Sequence, residues 1–127
     1  LVSDSLIKTH LCEMPGVRLI QGEWEKHGTC SGMSQTAYFA RIDKLWHSLT
    51  MPDLRRLAPP SGTLGVRAIR DAFAKANAKA GVGQEAVVVE LSNGNLSEAR
   101  ICYDLAFKPM SCPAGIGRTA GTARIVR

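Results

Sequence analysis

Residues 86–105 limit the fold more than any other stretch of the chain. Ala86-Val87-Val88-Val89-Glu90-Leu91 is a β-branched run, and Ser92-Asn93-Gly94-Asn95 follows it as a turn signal. Beyond the turn, Ala99, Ile101, Tyr103 and Leu105 alternate with Glu98, Arg100, Cys102 and Asp104. Asn-Gly suits the left-handed corner of a tight hairpin, and a period of two puts the apolar residues on one face. The sequence therefore predicts a β-hairpin with one face that something else must cover.

Helices supply the cover, and they come earlier in the chain. Val17, Ile20 and Trp24 recur at helical spacing to about Lys26, interrupted by Gly22, with a loop expected from His27. Ser34 is placed to cap a second helix whose stripe is Tyr38, Ile42, Leu45, Trp46 and Leu49, ended by Pro52. Thr63 is placed to cap a third, with Val66, Ile69, Phe73 and Ala76 on one face and Gly81-Val82-Gly83 as the stop. After Leu105 the chain is turn-rich, with a short last strand expected at 123–126. Helices first and strands later, without βαβ alternation, give an α+β fold: helices packed on a central antiparallel β-sheet. Ala58-Pro59-Pro60-Ser61-Gly62 is too short to separate two cores, so 1–127 reads as a single domain.

Composition removes several classes. A chain that is 45% hydrophobic and 21% charged is neither disordered nor fibrous. No apolar run approaches the roughly 20 residues that span a bilayer, so no membrane partner is expected. Of the net charge of +5, the part beyond Phe107 is carried by bases alone: Lys108, Arg118, Arg124 and Arg127. That tail fits a polyanion such as nucleic acid, and equally a solvated basic surface. The four cysteines, Cys12, Cys30, Cys102 and Cys112, point by their even count to two disulfides and an oxidising compartment. Neither Cys-x-x-Cys nor His-x-x-x-His spacing is present, which argues against zinc.

Glu23-Trp24-Glu25-Lys26-His27-Gly28 concentrates the chemistry. On a helix, Glu23, Lys26 and His27 stand at i, i+3 and i+4 and share a face. An imidazole can pass a proton to or from a hydroxyl near neutral pH, a lysine can offset charge gathering on phosphorus, and a carboxylate can orient both. The same spacing also describes an ordinary ion pair on a surface helix, and spacing alone does not separate the two.

Gly22-Glu23-Trp24-Glu25-Lys26-His27-Gly28-Thr29-Cys30 closely resembles the second active-site motif of the ribonuclease T2 family, His-Glu-Trp-x-Lys-His-Gly-Thr-Cys. Leu96 to Cys102, followed by Cys112-Pro113, is more loosely similar to that family's late strand and short disulfide loop. The resemblance implies a metal-free, cofactor-free enzyme that cleaves single-stranded RNA through a 2′,3′-cyclic phosphate. It implies His27 as general base, with Glu23 and Lys26 stabilising the transition state. It also implies a Cys102–Cys112 bridge, with Cys30 tied to an upstream cysteine for which Cys12 is this chain's candidate. A secreted or periplasmic location follows from the same resemblance.

The chain departs from the family pattern in three ways. The first motif, Phe-Thr-x-His-Gly-Leu-Trp-Pro, is absent, and with it the second catalytic histidine. His10 and His47 lack its context and are expected to be solvated or structural. Gly22 stands where many members carry a phosphate-binding histidine. No cysteine is present for the family's other late disulfide. The expectation is therefore the C-terminal portion of a ribonuclease T2-like fold, with an N-terminal segment of the same enzyme supplying the other histidine. The alternative is a non-catalytic RNA-binding or interaction domain on the same fold.

Overall fold

The computed structural model describes residues 1–11, 14 and 16–126, so Cys12, Glu13, Pro15 and Arg127 lie outside it. The chain forms two compact units, Leu1–Leu49 and Thr50–Arg127.

The first unit is helical. Helix α1 (Asp4–His10) starts at Ser3, whose hydroxyl accepts from the Leu6 amide. Helix α2 (Val17–Glu23) runs directly into a single π-helical turn, Trp24–Gly28. Helix α3 (Gln35–Ser48) begins as expected at Ser34, whose side chain accepts from the Ala37 amide at 3.1 Å. Val2, Ile20 and Phe39 are the buried centre, and Leu6, Ile7, Trp24, Tyr38 and Ile42 pack around them. Phe39, outside the expected stripe, is the residue of α3 that is fully buried, while Trp46 is 51% exposed. The small core engages α3 only as far as Ile42, so an apolar side chain one turn further has nothing to pack against. His10 also departs from expectation. It is only 3% exposed, because it follows Leu6 by four residues on the buried face of α1, and its ring lies 5.3 Å from that of Phe39.

The second unit is a four-stranded sheet with one long helix. Helix α4 (Leu54–Leu57) is a single turn capped by Asp53. Strand β1 (Thr63–Gly65) leads into helix α5 (Val66–Ala76), and strands β2 (Val87–Ser92), β3 (Asn95–Ile101) and β4 (Thr122–Arg124) follow. Thr63 is thus in a strand and does not cap the helix. Pairing with β4 claims these residues, and the Val66 amide donates to the Gly121 carbonyl at 2.7 Å. Helix α5 buries Val66, Ile69, Ala72 and Phe73 on the β2 side, close to the expected face. Each such large apolar side chain contributes about 1.5–3 kcal/mol when fully buried.

The sheet order is β1-β4-β3-β2. The hairpin forms as expected, Val87 opposite Ile101 and Ser92 opposite Asn95, with Asn93 and Gly94 both at positive φ. The expectation of a purely antiparallel sheet is corrected: β1–β4 and β2–β3 are antiparallel, but β3 meets β4 in parallel, Asn95 beside Arg124. The alternation beyond Ile101 does not continue as strand. Asp104 Oδ1 accepts from the amides of Ala106 and Lys108, turning the chain, and the Cys102–Cys112 disulfide closes the loop. Leu105, expected on the buried face, is fully exposed at its tip.

The basic tail is woven into this unit. Arg118 exchanges both backbone hydrogen bonds with Val89, which covers the outer edge of β2. The Arg124 guanidinium donates to Asn95 Oδ1 at 2.9 Å and to the Asn93 carbonyl, holding the hairpin turn. Two polar side chains absent from the sequence reading tie the rest together. Arg70 donates to the carbonyls of Val87, Gln84 and Thr119 at 2.7, 2.8 and 3.1 Å. Asn77 is buried, accepts from the Thr50 amide at 2.6 Å, and donates to the carbonyls of Thr50 and Phe73.

Candidate active site

Helix α2 positions the motif from below. Ile20 is its fully buried anchor, and one turn later Trp24 lies half-buried against Tyr38 and Phe39 at ring distances of 5.7 and 6.5 Å. The turn after Trp24 is widened: the Thr29 amide donates to the Trp24 carbonyl at 2.9 Å, an i to i+5 bond. Gly28 explains what fits inside it. A Cβ on Gly28 would stand 2.1 Å from Trp24 Cε3, so the indole covers the glycine face-on and no side chain can share the space. Single π turns of this kind recur at functional sites. Ser31 Oγ donates to the Gly28 carbonyl at 2.5 Å and Thr29 Oγ1 to that of Glu25 at 3.0 Å, satisfying the end of the turn.

Despite the change of pitch, the expected pair forms. His27 Nε2 lies 3.9 Å from Glu23 Oε2, with the imidazole side chain 65% and the carboxylate 38% exposed. That is an ionic approach without a tight hydrogen bond, and the imidazole edge is open to solvent. Lys26 is exposed on the same turn. The other glutamate of the motif is engaged elsewhere: Glu25 Oε1 accepts from Gln21 Nε2 at 2.6 Å, and Gln21 Oε1 accepts from the Val2 amide. Glu23 is therefore the carboxylate left to the site.

A Cβ on Gly22 would meet nothing within 4 Å. The residue borders an open hollow of about 450 Å³ whose walls include Ile7, Arg18, Gln21 and Glu25. Neither remaining histidine joins His27. His10 is buried against Phe39, and the exposed His47 has its Nδ1 at 3.2 Å from Asp43 Oδ1 and 2.8 Å from the Asp43 carbonyl. Cys30 carries a free, exposed thiol, and its expected partner Cys12 lies outside the described residues.

One neighbour of the motif escaped the sequence reading. Tyr38 was legible only as part of the α3 stripe, yet its ring meets Trp24 edge-on at 64°. Burial, and after it the Glu23 carboxylate, hold its phenol above the ordinary tyrosine range. No local signal in the sequence connects residue 38 to residues 23 and 24.

The family model of the ribonuclease T2 family matches residues 7–112. The chain belongs to the ribonuclease T2 family. That span includes the motif at 23–30 and the Cys102–Cys112 bridge. Over 48 residues this ribonuclease T2 chain is 44% identical to a Haemophilus influenzae protein named "Probable ribonuclease", a match that covers 38% of the chain and 18% of that relative. The chain thus spans less than a fifth of the length of the curated relative it matches. No solved structure matches it.

Proposed function

We propose that this chain carries one half of the catalytic apparatus of a metal-free endoribonuclease acting on single-stranded RNA. The solvent-open His27 imidazole beside Glu23, on a turn shaped by Trp24 and Gly28, is the observation that supports this reading most. His27 accepts the proton of a ribose 2′-hydroxyl as its oxygen bonds to the adjacent phosphorus. The P–O5′ bond breaks, leaving a 2′,3′-cyclic phosphate, and the departing 5′-oxygen takes a proton from a second imidazole. Glu23 and Lys26 stabilise the negative phosphorane between these events.

The second imidazole belongs to a segment beyond these 127 residues, since His10 and His47 are both committed elsewhere. The chain is, on this proposal, the C-terminal portion of one T2-like domain. The Cys102–Cys112 disulfide supports an oxidising compartment, secreted or periplasmic. Gly22, which leaves the family's phosphate-binding position without a side chain, favours the second reading of a non-catalytic RNA-binding domain.

Cleavage of a short RNA in EDTA by the protein, with His27→Ala as control, separates the two. Cyclic-phosphate ends that fall by about 10²–10⁴ in the variant support catalysis, and a bell-shaped pH profile must accompany them. RNA that is bound but left intact by wild-type protein, with or without the second histidine segment added, would leave the binding domain as the reading.

A further inference from the structure

We propose that Tyr38 is a positioning residue of this site, its ring holding Trp24 in place and its hydroxyl setting the Glu23 carboxylate toward His27. The inference rests on the ribonuclease reading for its purpose but on separate contacts for its geometry. The ring of Tyr38 meets Trp24 at 5.7 Å and Phe39 at 5.2 Å, both edge-on. It is thereby wedged between the buried centre of the first unit and the indole that overlies Gly28. Tyr38, Trp24 and Gly28 thus form a line of contact from α3 to the backbone that presents His27.

The polar end of Tyr38 adds a second role. Tyrosine joins an apolar body to a polar tip, and a half-buried one places that tip at the boundary of the core. Here the boundary carries Glu23, whose charge is felt by the phenol. A phenol beside a carboxylate keeps its proton, so it faces Glu23 as a donor at every pH where His27 titrates. Among the described residues the hydroxyl has no hydrogen-bond partner, so its proton is available. Glu23 and His27, 3.9 Å apart, need an outside group to hold the carboxylate when substrate enters between them. A donor on α3 supplies it from the side opposite the solvent.

The chain has two tyrosines, which makes the phenol directly observable. In a Tyr103→Phe background, absorbance titration follows Tyr38 alone. Adding Glu23→Gln is expected to lower its midpoint, because removing a neighbouring negative charge makes phenolate easier to form. An unchanged midpoint overturns the proposal whether or not the protein cleaves RNA. On cleaving material, Tyr38→Phe keeps the ring and is expected to lower kcat about 3–10-fold with KM unchanged. Tyr38→Leu, which also releases Trp24, should lose more. Full activity in Tyr38→Phe, or a loss confined to KM, also overturns it. Failure of the wild type to cleave would instead sink the ribonuclease reading, with the titration still deciding whether Tyr38 faces Glu23.

Discussion

The residues of the motif divide into those that do chemistry and those that make room for it. Gly28 belongs to the second kind. Gly28→Ala puts a methyl group 2.1 Å from an indole carbon, and the π turn or the tryptophan must move. The expected cost is about 1–3 kcal/mol, the range for overpacking a fitted site, and thermal unfolding measures it. Activity should fall further than stability, since the same turn aims His27. Asn77→Ala tests a different kind of dependence. It leaves the Thr50 amide and carbonyl without their partner in a buried setting, and a loss of about 2–3 kcal/mol is expected from denaturant unfolding. At this scale the motif residues were legible from the sequence, because eight positions in a row carry them. Tyr38, Arg70 and Asn77 were not, because their partners are 14 or more positions away or reached through a ring contact. His10 was misread because its polarity concealed its position on the buried face of α1.

At the scale of elements, α2 carries its own test. Gly22 sits inside the helix with open space where a Cβ would be, so Gly22→Ala should stabilise the first unit by about 0.5–1 kcal/mol through backbone entropy alone. A rise in melting temperature without loss of RNA cleavage is the expected result. Gly22→His, which restores the family's usual residue, should tighten binding of inorganic phosphate. Element legibility followed the range of the interactions. The hairpin was readable because its turn and its alternation are local, and the first turn of α3 because Ser34 caps it within three residues. Strand β1 was not, because three residues carry no period and it exists by pairing with residues about sixty positions later. The π turn was invisible for a subtler reason: the same side chains would fit an α-helical turn, and only the Trp24–Gly28 contact selects the wider one.

For the whole molecule, two conditions expose what holds it. Reducing Cys102–Cys112, or replacing both cysteines by serine, reopens a loop with a sequence separation of 10. In the chain-entropy model that costs roughly 3 kcal/mol, measured as the denaturation midpoint with and without reductant. Alkaline pH acts on the two phenols. Burial raises Tyr103, and burial with Glu23 raises Tyr38, above the ordinary value near 10. Below that value both are protonated in folded and unfolded chains alike and the stabilisation is intact. As pH climbs past it the unfolded chain releases protons first, so stability falls until the folded phenols titrate too. Replacing both tyrosines by phenylalanine should flatten that decline.

The placement of β4 has a consequence for how the protein is made. Residues 122–124 pair with β1 on one side and touch β3 on the other, although they come last among the strands. A ribosome delivers the chain from the other end. The helical first unit has all its own residues at hand early, whereas β1 emerges with its partner still unsynthesised and must wait, its edge open. The second unit is therefore the step at which a nascent chain is most exposed to mispairing, and a secretion route that keeps the chain extended until release would avoid it.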